Sequence, residues 1–120
     1  MKLKILLVDD SDTLLEIMNA LFEELGHTVV GKAKDGKEAI ELYSKHTPDL
    51  VTMDIFMPGL NGVDAVSEII KKDDKAKIIM ITSHGQKEIV KNAINKGAQD
   101  YLLKPITADK LKTSINKIFN

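Results

Sequence analysis

Short runs of Ile, Leu and Val recur along this chain and alternate with stretches whose apolar residues have helical spacing. This alternation constrains the fold most tightly, because runs without a polar face must be covered on both sides. A parallel sheet joined by crossover helices covers them that way. Five strand-helix units are legible in 120 residues. The apolar run Leu3–Val8 precedes a helix with Leu14, Met18, Leu21, Phe22 and Leu25 on one face, stopped by Gly26. A second strand is expected near Thr28–Ala33, then a helix opened by the capping-box spacing of Asp35 and Glu38, with Ala39, Ile40 and Tyr43 facing inward. Pro48 is then expected to force the chain extended. Leu50–Met53 reads as the third strand, followed by the Pro58–Gly62 loop and a helix bearing Val63, Val66, Ile69 and Ile70. Ile78–Ile81 is the fourth, apolar enough for full burial, and Ile89, Val90, Ala93 and Ile94 mark the next helix, stopped at Gly97. Tyr101–Leu103 and a helix with Leu111, Ile115 and Ile118 complete the series. The fold class is therefore α/β, one doubly wound domain over residues 1–120.

Composition excludes several functions. With 43% hydrophobic residues the chain has enough apolar material for a core, and at this length it buries roughly two-thirds of its unfolded surface. The 17 basic and 18 acidic side chains leave a net charge of −1, against broad nucleic-acid binding. Absence of cysteine removes disulfides, thiolate metal sites and thiol catalysis. The first apolar run stops too early for a signal peptide and no later run has membrane-spanning length, so a cytoplasmic protein without membrane contact is expected.

Ligands of open parallel sheets bind beyond the carboxyl ends of the strands. Here those ends carry Asp9 and Asp10, Asp54, Thr82 and Ser83, and Lys104 followed by Pro105. Converging carboxylates repel, which raises at least one pKa unless a cation neutralises them, and such hard oxygen ligands suit magnesium. A lysine and a hydroxyl facing the same metal would clamp a transferring phosphoryl group, with one carboxylate as nucleophile. Singly, each residue has a plainer explanation: Asp9 and Asp10 as helix-dipole partners beside a Ser11 or Asp12 cap, Asp54 as a turn former, Thr82 as a strand residue, Lys104 as a solvated charge. Their joint placement favours a site.

With Asp9-Asp10, Asp54-Ile55-Phe56-Met57-Pro58, Gly62, Thr82 and Lys104-Pro105 in these places, the whole chain resembles the receiver domain of two-component response regulators, in particular its stand-alone chemotaxis members. The resemblance implies the flavodoxin-like strand order 2-1-3-4-5. It implies that Asp54 accepts a phosphoryl group from a sensor histidine kinase, that Asp10, Asp54 and the backbone carbonyl of Phe56 ligate Mg2+, and that Asp9 acts mainly through water and hydrogen bonds. Lys104 would pair with phosphoryl oxygens, ahead of a cis peptide to Pro105. Thr82 would move towards the phosphoryl group and Tyr101 into the space it vacates, although an aromatic strand residue also packs ordinarily. Phe56 and His84 occupy positions that tune loss of the group to water; His84 is equally a solvated loop residue. His27 and His46 lie on other connections. The chain departs from the family pattern at Ile106, where many relatives have Phe, and at Glu16, where chemotaxis members often have Arg.

The expected function is a monomeric signalling switch that catalyses its own phosphorylation and slow dephosphorylation. Because the chain stops at Asn120 without a linker, its output is expected through another protein, such as a flagellar motor switch component, with a phosphatase as a further partner. A phosphorelay intermediate serving a histidine phosphotransfer protein, or a receiver cut from a transcription regulator, would use the same chemistry. A magnesium-dependent phosphatase with an aspartate nucleophile ranks low, because Thr13 stands one place early for its Asp-x-Asp-x-Thr motif. A flavodoxin ranks low too, since Asp9, Asp10 and Asp12 would repel the flavin phosphate.

Overall fold

The computed structural model describes residues 1–83 and 87–120. In chain order the elements are β1 (Lys4–Val8), α1 (Asp12–Glu24), β2 (Thr28–Ala33), α2 (Gly36–His46), β3 (Leu50–Asp54), α3 (Gly62–Lys72), β4 (Ile78–Thr82), α4 (Lys87–Asn95), β5 (Asp100–Leu103) and α5 (Ala108–Phe119). All sheet pairings are parallel, in the order β2-β1-β3-β4-β5. The expected flavodoxin-like α/β architecture is present.

Strand alternation divides the core. Ile5, Leu7, Ile79 and Ile81 pack with Leu15, Met18 and Phe22 of α1 and Leu111 and Ile115 of α5. Leu6, Val8, Met53 and Met80 point the other way, into a layer with Ala39 and Tyr43 of α2, Val63, Ala65, Val66 and Ile69 of α3, and Ala93 of α4. The apolar stripes are thus largely as expected. Leu15 joins the buried face of α1, and Ile94 is a correction: it is 40% exposed, at the edge of the stripe Val90 and Ala93 bury.

Local chemistry sets the helix ends. Ser11 is the α1 cap and accepts from Leu14 N–H at 3.2 Å, which resolves the choice between Ser11 and Asp12. Asp35 accepts from Glu38 N–H at 2.8 Å, but Glu38 returns its bond to Lys34 N–H at 3.1 Å, one residue before the cap. Thr47, before Pro48, is left-handed with φ 40° and ψ 62° rather than extended. Its N–H reaches Tyr43 carbonyl at 2.8 Å, so closing α2 prevails over the pre-proline preference.

Two boundaries bear on function. Asp54 and Thr82 are the last residues of β3 and β4, not the first of the following loops. They stay in the ladder because Asp54 pairs with Ile81 and Thr82 with Leu103 across the sheet.

Candidate functional site

From β1 the chain crosses to β2 on one side of the sheet and then returns to β3 on the other. The connections after β1 and β3 therefore diverge and open a crevice at the strands' carboxyl ends. Asp9 stands at the head of the connection leaving β1, its N–H bonded to Ala33 carbonyl at 3.0 Å and its Oδ1 accepting from Ser11 N–H at 2.9 Å. Asp54 faces it from the end of β3. Both are buried, Asp10 is exposed, and one carboxylate oxygen from each of Asp9, Asp10 and Asp54 lies within 4.8 Å of the others. Among the described residues this is the group of His, Asp and Glu side chains able to hold a metal ion.

Lys104 brings the opposite charge. Its Nζ lies 3.4 Å from Asp9 Oδ2 and 3.8 Å from Asp54 Oδ1, with a quarter of the side chain exposed. The Lys104–Pro105 peptide is cis. Lys104 N–H donates to Thr82 carbonyl at 2.9 Å, which fastens the strap after β5 to the end of β4, and the Thr82 side chain is fully buried.

The Asp54 carboxyl is pushed up to about 6. Burial is the largest cause, followed by the negative charge of Asp9; the Lys104 ammonium opposes them, Asp10 adds to the rise, and a hydrogen bond from the Phe56 backbone lowers it. Repulsion was the expected cause of such a rise, and it ranks behind desolvation because Asp54 ends a strand with both faces covered. The donor set fits a small hard cation: it is all oxygen and carries excess negative charge.

The remaining expected residues are spread wider. Phe56 is 50% exposed and lines a groove with Asn61, Val63, Ile89 and Asn92. Tyr101 is 42% exposed and lines a groove of about 570 Å³ between β5 and α5, with Leu103, Lys110, Ser114 and Lys117. His84 lies outside the described residues. His27 is remote from the site, where its Nδ1 accepts from Leu3 N–H at 3.0 Å and burial depresses its pKa. Ile106 is buried in the core layer of α1 and α5.

Two supports have roles that sequence reasoning did not assign: Gly62 was noted only as part of the motif, and Lys110 was not singled out. Gly62 opens α3 directly against the Asp54 backbone, where a Cβ would collide with the Asp54 carbonyl oxygen. Lys110 donates from Nζ to the carbonyls of Leu103 at 3.0 Å and Pro105 at 2.9 Å. Its available signal was a cation in a helix's first turn, where the dipole disfavours one.

A family model for the response regulator receiver domain matches residues 5–116. The chain is 42% identical over 117 residues to "Chemotaxis protein CheY" of Bacillus subtilis, covering 98% of each. It is 40% identical over 115 residues to the protein of that name from Thermotoga maritima, covering 96% of each. Among solved structures, a chain of the CheX-CheY-BeF3-Mg+2 complex from Borrelia burgdorferi superposes with a TM-score of 0.94 at 33% identity, over 98% of this chain and 89% of that one.

Proposed function

From the premise that this chain belongs to the response regulator receiver family, whose members act as signalling switches, we propose that it is a chemotaxis switch set by phosphorylation of Asp54. The observation that carries this reading is the convergence of Asp9, Asp10, Asp54 and the Lys104 ammonium at the sheet's carboxyl edge. Asp54 is the nucleophile. Its carboxylate oxygen attacks phosphorus, the new O–P bond forms as the N–P bond of a kinase phosphohistidine breaks, and the imidazole leaves with the bonding electrons.

Asp10, Asp54 and the Phe56 backbone carbonyl would hold Mg2+, with Asp9 acting mainly through water. The ion supplies charge neutralisation for the carboxylates and the incoming phosphoryl oxygens. Lys104 pairs with those oxygens from the other side, and its ammonium stabilises the charge that spreads over them during transfer. Thr82 then turns its hydroxyl to the phosphoryl group, and Tyr101 moves from the groove beside α5 into the space beneath α4. The switch thereby changes which surface a partner meets. Phe56 shields the acyl phosphate from water, with His84 as a second tuning position.

The protein works in the cytoplasm as a monomeric domain that catalyses its own phosphorylation and slow dephosphorylation. It takes its phosphoryl group from a sensor histidine kinase and delivers its output to an effector such as a flagellar motor switch component; a phosphatase is a further partner. The described residues include no helix long and apolar enough to cross a membrane.

The test is mass spectrometry after incubation with acetyl phosphate or phosphoramidate, with and without magnesium. A magnesium-dependent phosphoryl adduct on the wild type and none on Asp54→Asn is expected. No adduct on the wild type, or full labelling of Asp54→Asn, overturns the assignment.

A further inference from the structure

Lys110 stands in the first turn of α5, behind the Thr107 cap. The positive end of the helix dipole makes this a poor place for a cation, so helix formation does not explain a lysine here. Its ammonium instead donates to the carbonyls of Leu103 at 3.0 Å and Pro105 at 2.9 Å. Those are the residues on either side of Lys104, whose own ammonium lies 3.4 Å from Asp9 and 3.8 Å from Asp54. Lys110 is rooted in turn by its backbone N–H, which donates to Thr107 Oγ1 at 3.2 Å. Hydrogen bonds from a charged donor are stronger than neutral ones, and two on one ammonium fix the relative position of their acceptors.

The strap after β5 is thus held at two points. Lys104 N–H ties it to Thr82 carbonyl of β4, and Lys110 ties its two flanking carbonyls to α5. Resting on the function proposed above, we propose that Lys110 is a positioning residue for phosphoryl transfer: by clamping the carbonyls of Leu103 and Pro105 it holds Lys104 aimed at the Asp9–Asp54 pair. Lys110 touches no reacting atom. Its effect passes through Lys104, whose ammonium must sit within an ångström or so of its productive place to act fully.

A double-mutant cycle of Lys110→Met and Lys104→Ala separates this role from a general one. Transfer from acetyl phosphate, followed by mass spectrometry in saturating magnesium, is expected to slow about fivefold in Lys110→Met and to recover in Lys110→Arg, which keeps a cationic donor. In the Lys104→Ala background the same Lys110→Met change is expected to have no further effect. Equal slowing in both backgrounds, or no slowing in Lys110→Met, overturns the proposal. Lys110→Met loses two charge-assisted hydrogen bonds while relieving a cation at a helix's positive end, so thermal denaturation is expected to show it fully folded at the assay temperature; partial unfolding there that accounts for the slowing also overturns the proposal.

A second readout needs no phosphoryl transfer. Side-chain NMR relaxation of Lys104 is expected to report greater mobility in Lys110→Met than in wild type and Lys110→Arg, whereas unchanged mobility overturns the clamp. Absent labelling of the wild type would instead overturn the reading of Asp54 as phosphoacceptor, leaving the relaxation result to decide what Lys110 does to Lys104.

Discussion

Asp54 is held in a costly state. A carboxyl whose pKa is raised to about 6 by burial and by Asp9 binds its proton more tightly in the folded chain than in the unfolded one. Its contribution to stability is therefore fully present below the unfolded value near 3.8 and is lost as pH rises through about 6. Above that range the cost reaches about 3 kcal/mol. Asp54→Asn is accordingly expected to stabilise the metal-free protein at pH 7.5 by about 1–3 kcal/mol and to flatten the dependence of stability on pH between about 4 and 6.5. Urea denaturation at a series of pH values in chelator measures both. Equal stability of the two proteins across that range would mean that Asp54 is not strained by its neighbours.

At the scale of elements, the contact between α3 and the end of β3 matters most to the site. Gly62 N–H donates to Ile55 carbonyl at 2.9 Å, and the helix begins so close to the strand that a methyl group would meet the Asp54 carbonyl. Gly62→Ala must push α3 or Asp54 away, and it is expected to destabilise the fold by about 2–3 kcal/mol, far beyond the propensity gain of alanine in a helix. Chemical denaturation would register the loss. An unchanged or raised midpoint would show that α3 can retreat without cost. This contact was not legible in the sequence, where Gly62 reads as the end of the Pro58–Gly62 loop and as one mark of the receiver motif. The strand ends show the same limit: apolar runs stop at Met53 and Ile81, while the ladder carries on through Asp54 and Thr82 because the neighbouring strands supply partners.

For the whole molecule, the excess negative charge at one sheet edge would link the binding of a metal ion there to folding. An ion that binds the assembled cluster and not the unfolded chain raises stability with its concentration, by about 2.7 kcal/mol at a hundred times its dissociation constant. Magnesium is expected to raise the melting temperature progressively, chelator to reverse the gain, and Asp54→Asn to reduce it. A melting temperature indifferent to magnesium would argue that the carboxylates do not form a binding site. Such coupling belongs to the tertiary fold, since Asp9 follows β1 and Asp54 ends β3, strands far apart in sequence and adjacent in the sheet.

The sequence by itself determined the class of fold and the residues that meet at its edge. Apolar runs and helical spacing are local, periodic properties, and they required a parallel sheet covered on both faces; the polar residues closing those runs could then fall only at its carboxyl edge. Tertiary structure decided the rest. It buried Asp54 and left Asp10 exposed, made desolvation a larger influence on Asp54 than repulsion, set Gly62 against the Asp54 carbonyl, and brought the Lys110 ammonium onto the carbonyls of the two residues flanking Lys104. These outcomes depend on the distance between groups brought together by packing, and periodicity along a chain carries no information about that distance.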